Sequence, residues 1–257
     1  MALITPSQYL FNPNEQPTAH TPIIQVNNTT IATLGNVITM SGRSGVRKST
    51  FLHMFVGSYL INKKVCKLQI LPPNDSRDKI VLIDTEQSAY SLYNQVQRLR
   101  RQINVPEINT DKLIIYRLRS LTHEDVKKFL HTIIEHHKHE IFLICIDNIL
   151  DMVLNYNDVS ESKLLIDDFK NLTDTYNIIL FSIIHQSKQT AFSIGHTGSR
   201  LEALAQTSLR VQYTNPDTDH IDKNISELIV GEKIRDSEEF TPIRIKYDST
   251  KDFYVLN

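Results

Sequence analysis

The residues best suited to chemistry lie in SGRSGVRKST, residues 41–50. This segment lies between a strand-like apolar run and a helix-like one, the context in which the backbone N–H groups at a helix start can bind phosphate. Lys48 could contact the β- and γ-phosphates, the Ser49 hydroxyl could bind Mg²⁺, and Thr50 could reach the α-phosphate. The segment therefore predicts a nucleotide site formed by Gly42, Arg43, Ser44, Gly45, Val46, Arg47, Lys48, Ser49 and Thr50.

Arg47 departs from the pattern G-x-x-x-x-G-K-[ST], because it stands where the second glycine is expected. A glycine there lets the backbone approach the phosphates closely, whereas a side chain risks a clash or a strained backbone. The arginine could swing outwards, or it could add a cation near the phosphates. A different interpretation is a Ser/Gly loop before an ordinary helix capped by a residue such as Ser44. Arg47 thus bears mainly on whether the site hydrolyses its nucleotide.

Two carboxylates follow apolar runs at positions suited to catalysis. Asp147 ends IFLICID, and Glu86 follows IVLID, with Asp84 two residues earlier. A carboxylate at the end of a strand beside a phosphate loop can hold Mg²⁺ or can orient and deprotonate the attacking water. We assign the metal role to Asp147 and the catalytic role to Glu86. The alternative is that these acids only start a turn or cap a helix near Ser88.

FSIIHQSK ends a further apolar run with two polar side chains. A glutamine at Gln186 could hydrogen-bond the γ-phosphate or the attacking water, so we predict a catalytic role for it. We interpret His185 as a core histidine. A second group, His136, His137 and His139, lies at a helix end, where an ordinary surface is favoured over a metal site because no Asp or Cys pattern accompanies it.

The elements that must position these residues alternate between strand-like and helix-like runs. Such alternation predicts an α/β fold with a mostly parallel sheet, helices on both faces, and antiparallel strands at the C-terminal edge. We expect an N-terminal arm over residues 1–20 and one domain over 21–257. The predicted strands are 36–40, 80–84, 113–118, 141–147, 178–186, 209–213, 227–235 and 242–248, and the predicted helices are 49–61, 88–104, 123–139, 161–177 and 199–209, after a hairpin at 21–35.

Composition excludes several classes of protein. The 257 residues carry a formal net charge of −1, so the chain is not a basic nucleic-acid coat protein, and any DNA contact would come from a local patch. Cys66 and Cys145 have no CxxC spacing and are expected to be free thiols in a reducing compartment. The sequence has neither a secretory signal nor an apolar run long enough to span a membrane, so we expect a cytoplasmic protein.

The order of SGRSGVRKST, IVLIDTEQSAY, IFLICIDNI, IILFSIIHQSK with GHTGSR, and EKIRD resembles the RecA-like P-loop ATPases. Within them it is similar to the branch of DnaB-type replicative helicases and the plasmid helicase RepA, and to small ATPases of plasmids and mobile elements. The resemblance covers residues 22–250. It implies ATP and Mg²⁺ as cofactors, Glu86 as the catalytic glutamate, Asp147 at the metal and Gln186 as the sensor. It further implies a homo-oligomeric ring such as a hexamer.

The resemblance also gives EKIRD a role. In these helicases a Lys-x-Arg pair on a late strand reaches the neighbouring subunit's γ-phosphate, and Lys233 and Arg235 have the spacing that puts both side chains on one face of a strand. The alternative is two solvated cations on an edge strand.

Contact with single-stranded DNA would fall on loops that face the channel of the ring. Lys163, Lys188 and Arg200 are the candidate phosphate contacts there, although these loops are not especially basic, which weakens a helicase interpretation. Arg98, Arg100 and Arg101 are better explained as a solvated helix end. We therefore expect an ATPase that acts on DNA, with a non-hydrolysing adaptor and a structural assembly protein as alternatives.

Overall fold

The secondary structure of this computed structural model is described for residues 10, 12–14, 21–186, 195–214 and 222–257. Five α-helices lie in those ranges: α1 Lys48–Leu60, α2 Ala89–Gln102, α3 His123–His137, α4 Val159–Tyr176 and α5 Gly195–Leu204. The strands there are β1 Pro22–Val26, β2 Thr29–Thr33, β3 Val37–Gly42, β4 Leu68–Ile70, β5 Lys79–Asp84, β6 Leu113–Arg117, β7 Ile141–Asp147, β8 Ile179–His185, β9 Thr207–Thr214, β10 Asp222–Ile234, β11 Ile243–Asp248 and β12 Phe253–Leu256.

The main sheet of the described chain has nine strands in the order β12-β11-β10-β9-β3-β8-β7-β5-β6. From β9 to β6 every neighbouring pair is parallel, and β10, β11 and β12 add antiparallel strands at one side. The predicted mostly parallel sheet with antiparallel strands at the C-terminal edge is confirmed. Parallel strands place their carboxyl ends at the same edge, where ligands of such sheets bind.

Helices cover both faces of the main sheet, as predicted. Helices α1 and α2 pack on one face, where Phe55 of α1 meets Phe181 of β8 with ring centroids 5.7 Å apart. Helices α3 and α4 pack on the other, with Ile134 and Phe169 in that core. The strands are apolar on both sides because both faces are buried.

A small second sheet, β2-β1-β4, lies over α1. The predicted hairpin is present, and its turn residues Asn27 and Asn28 both have positive φ, which asparagine tolerates well. Strand β4 is an addition to the predicted elements. The Ser58 hydroxyl of α1 accepts a hydrogen bond from Ile70 N at 2.8 Å, which ties β4 to the helix.

Two predicted elements differ from the structure. The helix predicted over 199–209 ends at Leu204, because the chain from Thr207 pairs with β3 as strand β9. Local helix propensity predicts the longer helix, and pairing with a distant strand overrides it. The strand that carries Lys233 is also not the outermost one, since β11 and β12 lie beyond it, with β11 paired to residues 225–228 of β10.

Two sequence expectations meet the limits of the described residues. The predicted arm over 1–20 lies outside them except for Leu10 and residues 12–14. None of the helices in the described ranges is long and apolar enough to cross a membrane.

Candidate functional site

The phosphate loop, residues 41–50, connects the carboxyl end of β3 to the start of α1. A Cβ at Gly42 would lie 2.4 Å from the carbonyl oxygen of Val211, so only glycine fits against β9. Gly45 has a φ of +83°, and its carbonyl accepts a hydrogen bond of 3.1 Å from the Tyr213 hydroxyl. The Val46 side chain is buried in the core. The loop is therefore held from below by β9 and by its own apolar side chain.

Lys48 lies almost buried at the start of α1 and is folded back on the loop. Its Nζ donates to the carbonyl oxygens of Gly42 at 2.9 Å and Arg43 at 3.0 Å. Burial lowers the pKa of Lys48 to about 8, although the nearby carboxylates Asp147 and Glu86 act in the opposite direction. A cation held by two carbonyl dipoles can exchange them for anionic phosphate oxygens at little cost in desolvation, because it is already out of water.

Ser49 and Asp147 are brought together from α1 and the end of β7. Ser49 Oγ donates to Asp147 Oδ2 at 2.5 Å. Burial raises the pKa of Asp147 to about 6, against the effect of this hydrogen bond, so a cation beside the carboxylate would relieve an electrostatic penalty. Both are oxygen donors, which Mg²⁺ prefers.

Protein side chains alone would not complete a metal site here. Within the described ranges no cluster of three or more His, Cys, Asp or Glu could hold a metal. An ion at Ser49 and Asp147 would need phosphate oxygens and water as its other ligands, which is how Mg²⁺ is usually bound beside nucleotides.

Glu86 projects beyond the end of β5 beside the phosphate loop. Its Oε1 accepts from His185 Nε2 at 2.8 Å and from Asn148 Nδ2 at 3.0 Å. The hydrogen bond from His185 lowers the pKa of Glu86 despite partial burial, so Glu86 is an ionised, oriented carboxylate. The buried Asp84 has a different role, because it accepts from the backbone N–H groups of Glu86 and Gln87 at 3.1 and 2.7 Å. Asp84 therefore shapes the turn that presents Glu86.

His185 is the residue that the sequence interpretation missed. Its Nδ1 lies 3.2 Å from Lys48 Nζ, and its Nε2 contacts Glu86. An ammonium only donates and a carboxylate only accepts, so these neighbours select the tautomer with hydrogen on Nε2. The signal in the sequence is its position at the end of β8, which lies next to β3 in the sheet.

Gln186, the residue predicted as sensor, lies next to His185 but is turned elsewhere. It is buried, and its Nε2 donates to Ser41 Oγ at 3.4 Å, at the base of the phosphate loop. The structure thus brings Lys48, Ser49, Glu86 and Asp147 together as predicted from the sequence. It adds His185 to them and sets Gln186 behind the loop.

Arg47 takes the outward of its two predicted orientations. Its backbone is left-handed, with φ 75° and ψ 34°. Its Nε donates to the Tyr254 hydroxyl at 2.7 Å, and its Nη1 donates to Lys223 O at 3.3 Å and Ser226 Oγ at 3.4 Å. The side chain therefore points to β10 and β12 and leaves the loop's phosphate-facing side free.

Lys233 and Arg235 share a face, as their spacing predicts, because both donate to the carbonyl oxygen of Ala203 at the end of α5. Arg235 N donates to Gln206 O, and Gln206 N donates to Val37 O at the amino end of β3. The phosphate loop leaves the opposite end of that strand, roughly 17 Å away at about 3.3 Å per residue. The pair therefore cannot reach the phosphate loop of its own chain.

The candidate DNA contacts are only partly described. Lys163 is exposed on α4 and Arg200 is half-buried on α5. These helices meet through a hydrogen bond of 2.7 Å between the hydroxyls of Ser162 and Thr197. Lys188 lies outside the described residues.

The other basic clusters have partners within the chain. Arg101 pairs with Asp252, and the Arg100 guanidinium donates to Pro106 O at 3.0 Å. In the histidine group, His137 Nδ1 lies 2.7 Å from Glu140 Oε2. These contacts agree with an ordinary helix surface at both places.

Comparisons with known proteins identify the fold. No protein-family model matches the chain, and no curated protein is significantly similar in sequence. The solved structure of the ATPase domain of a DnaB-family helicase matches 86% of this chain and 84% of its own, with a TM-score of 0.59 and 13% identity. A KaiC-like protein, PH0186 from Pyrococcus horikoshii OT3, matches 88% of this chain and 90% of its own, with a TM-score of 0.56 and 11% identity. The chain has the RecA-like ATPase fold that its sequence motifs resemble.

The close contact between Gly42 and β9 gives a test of the loop's position. Gly42→Ala should lower the free energy of unfolding by about 1–3 kcal/mol, because the obstructing atom is a backbone carbonyl that cannot move aside. Gly57→Ala is the matched control: its Cβ would meet the ends of the Leu99 and Ile103 side chains, and alanine favours a helix. Urea denaturation measures both. Equal losses at the two glycines would contradict the close approach at Gly42.

Proposed function

We propose that this chain binds ATP with Mg²⁺ and hydrolyses it, as a subunit of a homo-oligomeric ring that acts on single-stranded DNA for a plasmid or mobile element. The hydrogen bond between Ser49 Oγ and Asp147 Oδ2 carries the nucleotide part of this proposal, because it joins a loop hydroxyl and a buried carboxylate beside Lys48 and Glu86. Two solved structures that share the fold support it, since one is named an ATPase domain.

The residues of the site divide the work of phosphoryl transfer. The N–H groups of the phosphate loop and Lys48 bind the phosphates, and Lys48 leaves the carbonyls of Gly42 and Arg43 to do so. Ser49 and Asp147 hold Mg²⁺, which when bound neutralises charge on the phosphate oxygens. Glu86 orients the attacking water and accepts its proton.

His185 acts as a positioning residue between Lys48 and Glu86. In the absence of nucleotide its Nδ1 accepts from Lys48 and its Nε2–H fixes the Glu86 carboxylate. When Lys48 moves to the phosphates, the bond to Glu86 remains, so the carboxylate keeps its orientation.

The outward position of Arg47 bears on the choice between an ATPase and a non-hydrolysing adaptor. A side chain tied to Tyr254 does not occupy the space that the phosphates need. This favours turnover over an adaptor that lost it through Arg47.

The first experiment separates binding from chemistry. Lys48→Ala should abolish ATP binding measured by calorimetry, whereas Glu86→Gln should bind ATP and lose roughly 100-fold or more of its turnover. ATPase activity is measured with and without single-stranded DNA. Wild-type binding without turnover, even with DNA, would favour the adaptor, and no binding at all would favour a structural assembly protein.

The second experiment tests His185 with two substitutions. His185→Leu removes both hydrogen bonds and should lower kcat about tenfold or more, since a hydrogen bond to a charged group contributes roughly 1.5–3 kcal/mol. His185→Gln can still donate an N–H towards Glu86 and should recover part of that rate, with a similar KM. If Leu and Gln variants have the same kcat, the contact with Glu86 does not matter for catalysis.

Assembly into a ring follows from the location of Lys233 and Arg235. They lie at the opposite end of β3 from their own phosphate loop, so a role in catalysis requires the nucleotide of a neighbouring subunit. A cation that arrives from a neighbour stabilises the charge of the transition state. Lys163 and Arg200, on helices tied by Ser162 and Thr197, are the candidate contacts to DNA phosphates.

Mixing subunits tests the shared site. Arg235→Ala should lower turnover far more than ATP binding, because its charge acts mainly in the transition state. A mixture of Lys48→Ala and Arg235→Ala subunits should recover activity wherever an intact Arg235 meets an intact phosphate loop. Assembly is followed by light scattering with ATP, Mg²⁺ and DNA present. Near-normal turnover of Arg235→Ala alone, or a chain that stays monomeric, would contradict the shared site.

A further inference from the structure

Arg47 combines an unfavourable backbone with an unusually complete set of contacts. Its φ of 75° lies in the left-handed region, which a residue with a Cβ adopts reluctantly and glycine adopts freely. Its guanidinium nevertheless reaches three acceptors on β10 and β12, and its Cζ lies 5.2 Å from the centroid of the Tyr254 ring. The side chain thus holds a backbone conformation that the residue type disfavours.

Tyr254 is well placed to bear this contact because it is itself fixed. It is 9% exposed, and its carbonyl accepts from Gln102 Nε2 of α2 at 3.0 Å. Its ring lies 5.2 Å from that of Tyr247 and 6.0 Å from the guanidinium carbon of Arg98. Strand β12 is therefore anchored to α2 on one side and meets the phosphate loop on the other.

We propose that Tyr254 is a positioning residue for the phosphate loop, acting through Arg47. The proposal rests on the nucleotide site proposed above. The tyrosine hydroxyl accepts from Arg47 Nε, stabilises the left-handed backbone just before Lys48, and keeps the guanidinium out of the space that the phosphates need. Arginine with its tyrosine partner does what glycine does in the usual pattern. The last strand of the chain thereby becomes part of the nucleotide site.

The proposal predicts a dependence between two positions far apart in sequence. If Tyr254 acts through Arg47, removing its hydroxyl matters only while Arg47 is present. If Tyr254 contacts the nucleotide itself, or only packs in the core, the effect of its substitution does not depend on Arg47.

The experiment is a double-mutant cycle on the full chain, with the Kd of a non-hydrolysable ATP analogue and Mg²⁺ measured by calorimetry. Tyr254→Phe keeps the ring and removes the hydroxyl, and it should weaken binding about fivefold to tenfold, the effect of one hydrogen bond to a charged group. In an Arg47→Gly background the same substitution should change Kd less than about twofold. Tyr247→Phe is the matched control, because its hydroxyl bonds to Asp252 and not to the loop.

A second measurement needs no nucleotide. Amide hydrogen exchange of the peptide that covers the phosphate loop should be faster in Tyr254→Phe than in wild type or Tyr247→Phe. An equal loss of affinity in the wild-type and Arg47→Gly backgrounds, or unchanged Kd and exchange in Tyr254→Phe, would overturn the role of Tyr254 while leaving the nucleotide site intact. A wild type that binds no nucleotide would overturn the proposed function, and unchanged loop exchange would then overturn this inference separately.

Discussion

The hydrogen bond between Ser49 and Asp147 sets the requirement that the rest of the structure meets. It joins the start of α1 to the end of β7, two elements 98 residues apart in sequence. Its carboxylate is buried, which costs free energy unless a hydroxyl or a cation compensates it. To bring these groups together, β3 and β7 must end at the same edge with only β8 between them, which is the strand order observed.

That edge collects side chains because parallel strands end together. Glu86 follows β5, Asp147 ends β7 and His185 ends β8, while the phosphate loop leaves β3 in the same layer. Each strand contributes one polar group at its end, and the buried strands keep those ends in a fixed register. Substrate-facing groups on a rigid edge need little reorganisation when charge develops, which is the main source of electrostatic catalysis.

The sequence predicts those parts of the site that depend on local pattern. Lys48, Ser49, Glu86 and Asp147 each adjoin an apolar run, so their position at a strand or helix end is visible in the sequence. The partners of Arg47 are not, because the Tyr254 hydroxyl comes from a strand 207 residues away. The role of His185 is hidden for a similar reason, since its meaning comes from two neighbours on other elements. The overlong helix predicted at 199–209 is wrong because pairing with β3 decides the conformation there.

The low pKa of Glu86 bears on what kind of catalyst the proposed site would be. A carboxylate that is stabilised by hydrogen bonds from His185 and Asn148 has little affinity for a proton, so it is a weak base. Phosphoryl transfer asks little of a base, because its transition state is loose and most of the stabilisation comes from positioning and charge. Two donors that hold Glu86 Oε1 in one place favour orientation of the water over proton transfer. The charge must then come from cations, and Lys233 and Arg235 can supply it only to a neighbouring subunit, because β3 separates them from their own phosphate loop.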